Sequence, residues 1–508
     1  MKLADRHIAR VAFLVVALVA VTACGGGGSP PFSIGGTGTK DTGSSGGTGT
    51  SGGTALTPPP GNQAYSVGGT VSGLVGQGLT LSILNPANTA HHTVPLGVLA
   101  ISHNGVYQAS RVSDGYGVLV QDQPHSPTQR CVVRNPWGSF LMGPMADNVT
   151  DVDVMCGEFS FVTNAASDTI SAFAVDAYTG AIVSAGAPVT AGSSPAAIAS
   201  SPDKRYVYIS NSVSNDVSVF AVDPGSGTLT ALPGSPFVAG AKPQALSLYT
   251  AASQGYGPPL IMGFLYVANA GSDDLSAYWV DPRTGVPTRS SPASYATGPG
   301  PSVIAIDPSG PLLYTANTGG SGSISAFVID TRSGDLTPTA GSPFPSGSSV
   351  SSLAFGTSNF QNTGFLGGNF LYAANASGSA AAILGFGVDL VTGALTNLAG
   401  FPFALPSCDR IVADGTGTYL YATIGANIVG YMIDRNTGAL STLAGFPVAV
   451  GSKMTSLSID PTNQFLYVGN GSPGTVNGFE LNAATGALTP IPGSPFAVGQ
   501  SADFVTTL

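Results

Sequence analysis

Ionisable side chains are scarce in this 508-residue chain: only 8% of residues are Asp, Glu, Lys or Arg, against roughly a quarter in an average soluble domain. Exposed helix faces need Glu, Lys and Arg, so the composition argues against a helical bundle or a sheet flanked by helices. Histidine occurs five times and never after His125, and cysteine occurs four times, which leaves little for metal or nucleophilic chemistry. Long apolar runs are missing too. The longest, Val11 to Val21, falls short of the roughly 18 residues that a spanning helix needs. The positive mean hydropathy therefore comes from dispersed Ala, Val, Leu and Ile. Basic charge is in deficit: Met1 to Gly157 holds seven basic and seven acidic residues, and Glu158 to Leu508 holds nine against nineteen. Binding nucleic acid by neutralising phosphates is thereby excluded. What abounds is Gly (70) and Pro (38), in a chain that is 43% apolar. That is core material for two or three domains of many short strands joined by tight turns, an all-β protein.

The N-terminus reads as a targeting segment. Lys2, Arg6 and Arg10 precede the apolar run, and Val21-Thr22-Ala23-Cys24 follows: charged region, hydrophobic region, then small residues before a cysteine. This resembles the lipobox of bacterial lipoproteins, which implies removal of residues 1–23 and acylation of Cys24. An ordinary signal peptide with an incidental cysteine is the alternative. Two or more acyl chains give stable anchoring. Gly25 stands where an inner-membrane lipoprotein of that group tends to carry Asp, so the resemblance implies the outer membrane, on its periplasmic or surface face. Residues 24–61 are almost all Gly, Ser, Thr and Pro, a disordered tether with an r.m.s. reach of roughly 30 to 36 Å.

Residues 62–157 read as a small β-sandwich. Val152, Val154 and Cys156 alternate with Asp151, Asp153 and Met155, and Cys131 shares parity with Val133, so the two cysteines can meet across two strands. A Cys131–Cys156 disulfide is expected in an oxidising compartment. A metal site with His125 is the rival, although neither C-x-x-C nor H-x-x-x-H spacing occurs. The stretches Val67 to Leu74, Asn104-Gly105, Pro124 to Cys131 and Asn148 to Val152 resemble an Ig-like repeat of bacterial surface proteins. That resemblance implies a spacer or adhesive module, with His91, His92 and His103 as solvated loop residues.

Residues 158–508 repeat seven times. An aromatic is followed three residues later by Asp or Asn and four after that by Gly, beginning with Phe173, Asp176, Gly180 and ending with Phe479, Asn482, Gly486. Spacings of 45 to 59 residues between the aromatics, with four strand-like pieces per unit, predict a seven-bladed β-propeller. Each Asp should cap a turn whose Gly takes positive φ. The first unit lacks an inner strand, and Ser501 to Leu508 matches the inner-strand pieces, so the C-terminal strand should close the ring. Two units are about ten residues too long, at Tyr249 to Gly263 and Thr357 to Asn369; both are expected to be loops on the face of the Asp-Gly turns, and candidate partner-binding elements.

The strands Tyr266-Val267-Ala268-Asn269, Tyr314-Thr315-Ala316-Asn317, Tyr372-Ala373-Ala374-Asn375 and Tyr467-Val468-Gly469-Asn470 resemble the YVTN repeats of surface-layer proteins. They also resemble those of lactonase-like propellers related to 6-phosphogluconolactonase. The Gly-Ser-Pro-Phe pieces at Gly234, Gly341 and Gly493 fit the same group. The resemblance implies lactone hydrolysis, which needs a base for water and donors for an oxyanion. Yet residues 158–508 contain no histidine, and their only glutamates are Glu158 and Glu480, so no catalytic position of the family transfers securely.

Aligning the repeats places Pro195, Pro243, Pro301, Val350, Cys408, Met454 and Ala502 at one level of the inner strands. The next level holds Gln244, Asp409 and Asp503, with Arg410 one residue further. Gln244, Asp409, Arg410 and Asp503 are the candidate binding residues of the channel, and Asp409, Asp503 and Arg410 the candidate catalytic ones. Their plain reading is an Arg-Asp pair satisfying a wet channel. Cys408 lacks a histidine to make it a nucleophile. No metal or cofactor is implied. The leading expectation is therefore a membrane-anchored cell-envelope module that binds an unknown envelope protein or glycan, or serves structurally. A lactone hydrolase is the alternative, and a polysaccharide or peptide reader a third that overlaps the first.

Overall fold

The computed structural model describes the strands between residues 65 and 156 and most of residues 157–507. The segments 1–64, 253–260, 358–368 and 376–380, the connections between the early strands and a few single positions lie outside the described residues. The expected signal peptide, Cys24, the expected tether and all five histidines are thus outside them. The described chain is all-β. Residues 65–156 carry two four-stranded sheets. Val67, Val71 and Val154 of one and Leu79, Leu81 and Val118 of the other are buried, as the alternating pattern requires. Cys131 and Cys156 stand directly opposite each other in an antiparallel pair.

From Glu158 the chain builds seven sheets, the blades of a propeller: one has four strands, and in the other six the outermost position is divided between two short strands that both pair with the third, making five. Blade 2 is typical, with inner strand Pro195–Ser200, then Tyr206–Asn211, Asp216–Val222 and Leu229–Ala231. The second strand of each blade is flanked by neighbouring blades on both faces. Tyr206–Asn211, Leu312–Asn317 and Phe465–Asn470 are accordingly buried at every position, and they read as continuous apolar runs. The inner strands of blades 3 to 7 are Pro243–Ala252, Pro301–Ile306, Val350–Gly356, Ile411–Ala413 and Met454–Ile459. Blade 1 takes its inner strand from the C-terminus: Phe504–Thr507 pairs with Glu158–Asn164, Phe504 opposite Thr163, which removes the open edges.

The repeat motifs have defined duties. Asp223 Oδ1 accepts from the Gly225 and Ser226 amides at 3.0 and 2.8 Å, and Gly227 sits at φ 73°, where a side chain is disfavoured. The motif tyrosine of one blade reaches the glycine of the next blade's turn. Tyr208 donates to the Gly285 carbonyl at 2.9 Å, Tyr266 to Gly334 at 2.7 Å and Tyr314 to Gly393 at 2.9 Å. Tyr372, Tyr421 and Tyr467 do the same to Gly438, Gly486 and Gly180. Only between blades 1 and 2 is this bond missing, because Phe161 occupies the tyrosine's place. The Gly-Ser-Pro-Phe serine serves where the outer strand is interrupted. Ser235, Ser342 and Ser494 Oγ accept the Val219, Ala326 and Gly478 amides at 2.9, 2.9 and 3.0 Å, replacing an absent ladder partner.

The two long units resolve differently from expectation in part. Tyr249 to Gly263 is not simply a loop. The inner strand runs on to Ala252 and pairs with Ile261, so much of the insertion lengthens a hairpin. The body of the second insertion lies outside the described residues.

Candidate functional site

The inner strands converge on the channel with one recurring irregularity. Pro195, Pro243, Pro301, Val350 and Met454 each stand opposite the asparagine that ends the second strand, and the register shifts over the following residue. Gln244, Ser302, Ser351 and Thr455 therefore occupy β-bulges, which turn a side chain away from its ladder position. Blade 6 departs from the pattern, because its inner strand begins only at Ile411 and Cys408-Asp409-Arg410 precedes it.

Arg410 gathers that region together. Its Nε donates to the Thr455 carbonyl of blade 7 at 2.8 Å, and its Nη1 to the carbonyls of Ser351 in blade 5 at 3.0 Å and Asp409 at 3.2 Å. Its amide donates to Thr423 Oγ1 at 3.0 Å. Burial of the guanidinium pulls its pKa below the usual value, opposed by the charge of Asp409, and it stays a cation at neutral pH. The expected Arg-Asp pair is thus corrected: the side-chain partners of Arg410 are three backbone carbonyls, not a carboxylate. Carbonyls left over by the bulges need donors, and a fork of five N–H groups on one long stem supplies them across three blades. The ladder continues outward, with Ser351 Oγ donating to the Asp409 carbonyl at 2.8 Å and Thr455 Oγ1 to the Ala502 carbonyl at 2.5 Å.

Asp503 is engaged elsewhere. Its Oδ2 accepts from the Ala165 amide at 2.8 Å and Ser501 Oγ at 2.6 Å, tying the closing strand to the turn of blade 1. It serves the ring's seam, so a shared Asp409–Asp503 acid/base pair loses one member to structure. Asp409 is half-buried beside the fixed guanidinium, and Gln244 lies across the ring in blade 3. Cys408 is fully buried among Ala354, Phe370 and Tyr372. Burial and then the charge of Asp409 push its thiol up to about 12, which excludes a thiolate nucleophile at neutral pH.

Three buried acids went unnoticed in the sequence. Asp307, Asp414 and Asp460 are 2, 5 and 1% exposed and sit at the hairpins between inner and second strands. Asp460 Oδ1 accepts the Gln464 and Phe465 amides at 2.8 and 2.6 Å, and its Oδ2 takes the Thr462 amide and hydroxyl. Asp414 does likewise. The pieces Asp307-Pro-Ser-Gly, Asp414-Gly-Thr-Gly and Asp460-Pro-Thr-Asn carried the signal, an acid followed by turn residues. Among the described residues, no group of three or more His, Cys, Asp or Glu side chains is arranged to hold a metal ion.

With this geometry in hand, the likenesses to known proteins are informative about the fold. A family model described as lactonase, 7-bladed beta-propeller, matches residues 146–243 and 262–352. A candidate 6-phosphogluconolactonase from Bacteroides fragilis superposes with a TM-score of 0.55 at 21% identity, over 69% of this chain and 98% of the other. A candidate 6-phosphogluconolactonase from Bacteroides uniformis gives 0.54 at 17% identity, over 69% and 99%. The periplasmic gluconolactonase PpgL of Pseudomonas aeruginosa gives 0.51 at 16%, also over 69% and 99%. No curated protein sequence matches the chain. The fold is that of lactonase-type seven-bladed propellers.

Proposed function

We propose that this chain is a lactone hydrolase acting at the channel mouth where the inner strands begin, with Asp409 as general base and Arg410 as the fixed cation. The observation that carries the reading is the clamp on Arg410. Three carbonyls hold Nε and Nη1, and Nη2 has no partner among the described hydrogen bonds, so a cationic donor is held rigid with one amino group uncommitted. Rigid donors favour developing negative charge because they need no reorganisation during reaction. In the proposed step Asp409 takes a proton from water and the water oxygen bonds to the lactone carbonyl carbon. Arg410 Nη2 faces the resulting oxyanion. The ring C–O bond then breaks, and the proton passes to the departing alkoxide oxygen, leaving a hydroxy acid. The likeness to lactonase-type propellers supports this assignment over a chemically silent one.

A second reading, a binding or structural module without turnover, is favoured by one observation: Asp503, one of two channel-level acids, is committed to a turn. A glycan or envelope protein would then be the ligand. Either activity is proposed to operate in the cell envelope, with the chain anchored through acylated Cys24. A Cys131–Cys156 disulfide fits the directly opposed register, since opposed Cα atoms lie about 4.5 to 5.5 Å apart, within disulfide range. The test is proton release from glucono-δ-lactone above the spontaneous rate by the purified chain and its Arg410→Lys variant. Turnover that falls by 100-fold or so in the variant supports the assignment; absence of turnover by the folded chain returns the protein to the second reading.

A further inference from the structure

We infer that Ser351 of blade 5 is a positioning residue for the general base, holding the main chain of Asp409 in place while its carboxylate stays uncommitted; the inference rests on the reading above and adds a residue to it. Blade 6 lacks the device that fixes this level in the blades on either side. There the residue before the bulge is paired with the asparagine that ends the second strand, Val350 opposite Asn375 and Met454 opposite Asn470. In blade 5 that asparagine lies two residues beyond Ala373, the partner of Leu353. In blade 6 Ile411 is opposite Ala422, and the residue two further on is Ile424. No strand pairing forms before Ile411, so the Asp409 main chain has to find its partners outside the ladder.

Blade 5 supplies them through two adjacent serines. Ser351 Oγ donates to the Asp409 carbonyl at 2.8 Å. Ser352 Oγ accepts the Ile411 amide at 3.2 Å and donates to the Ile411 carbonyl at 3.1 Å, which steadies the start of the strand. The Ser351 carbonyl accepts Arg410 Nη1 at 3.0 Å. One residue therefore holds the proposed base through its hydroxyl and the proposed cation through its main chain. The Asp409 carbonyl takes both Ser351 Oγ and Arg410 Nη1, and its carboxylate accepts no hydrogen bond from the described residues. A carboxylate left free on a main chain held by two donors can be aimed without being occupied, which suits a base that must meet a water at hydrogen-bond distance. Two neighbours at the same level show what the hydroxyl requires. Thr455 Oγ1 of blade 7 donates to the Ala502 carbonyl in the same way, so threonine can take the part of serine. Ser302 of blade 4 occupies the same bulge, yet its buried Oγ has no partner among the described residues.

Ser351→Ala removes the hydroxyl and keeps the carbonyl that Arg410 uses, so the proposed cation stays in place. The experiment measures kcat and KM for glucono-δ-lactone, together with the melting temperature, for the full chain and its Ser351→Ala, Ser351→Thr and Ser302→Ala variants. The expected result is a fall in kcat of about tenfold or more in Ser351→Ala, with KM within about twofold and melting within a few degrees. Ser351→Thr should recover kcat to within about threefold of the unaltered chain, and Ser302→Ala should match it. Undiminished kcat in Ser351→Ala overturns the inference and leaves the hydrolase intact. So does a threonine variant as slow as the alanine one, an equal loss in Ser302→Ala, or a loss that comes with collapse of the melting temperature. No turnover by the unaltered folded chain overturns both the inference and the hydrolase.

Discussion

The ring of tyrosine-to-glycine bonds makes a quantitative prediction, because the sequence has already omitted one of its members. Tyr314 is fully buried and donates to the Gly393 carbonyl at 2.9 Å. Burial pushes its phenol well above the usual pKa, so the hydroxyl remains a donor. Tyr314→Phe keeps the ring and removes the bond, at a cost of about 1 kcal/mol and up to ~3 if the carbonyl is left dry and unpaired. Blade 1 presents the reverse case. Phe161 is fully buried where the other blades have tyrosine, and an added Cβ on Gly227 would come within 2.3 Å of the Phe159 ring, as one on Gly285 would come within 2.5 Å of Tyr206. The two interfaces are therefore built alike, and Phe161→Tyr should reach the Gly227 carbonyl and stabilise by about 1 kcal/mol. At about 2.1 cal/mol/K per residue over the propeller's roughly 350 residues, each kcal/mol moves the melting temperature by about 1.4 °C. Denaturant titration with calorimetry resolves both signs. A neutral Tyr314→Phe together with a destabilising Phe161→Tyr would refute the interblade role of the motif.

Three further outcomes follow from the geometry. Gly334 has φ 76°, and an added Cβ would come within 2.1 Å of the Phe264 ring; Gly334→Ala should cost roughly 2 to 4 kcal/mol by denaturation, from backbone strain plus overpacking. Cys408 should resist thiol reagents at pH 8 in the folded chain. If Cys24 is acylated and Cys131 is bonded to Cys156, one thiol titrates after denaturation without reductant and three after reduction. The turn aspartates give an acid limit. The Ser226 hydroxyl holds Asp223 low, and the Thr392 and Asn436 amides do the same for Asp389 and Asp434. Carboxylates lowered in the folded state add stability above their unfolded pKa of about 3.9 and lose it as pH falls through the lower folded values. Unfolding free energy should thus be flat from pH 7 to 5 and drop below about pH 4, and a constant value down to pH 2 would count against these caps.

The seven repeats, the Asp-Gly turns and the C-terminal closing strand were all legible in the sequence, because each depends on local pattern that recurs. Gln244 lies at the bulge that blades 2 to 4 share, where Pro195, Pro243 and Pro301 stand opposite Asn211, Asn269 and Asn317, whereas Asp409 and Asp503 precede the ladders of their strands. The partners of Arg410 were not legible. Its bonds go to main-chain carbonyls, which every residue has, and a sequence pattern draws attention to the nearby carboxylates instead. The Tyr208–Gly285 bond escaped for a related reason. Both motifs were recognised, but their meeting depends on how consecutive blades stack, at a separation of 77 residues. Asp503 was read as a channel acid because its duty toward Ala165 exists only once the ring is closed.

The most direct test of the account is the kcat/KM of Asp409→Asn for glucono-δ-lactone beside the unaltered chain, each with its melting temperature. A loss of about 100-fold or more with melting unchanged within a degree or two is the predicted result. Undiminished turnover in the variant, or none in the unaltered folded chain, would contradict a hydrolase built around Asp409 and Arg410.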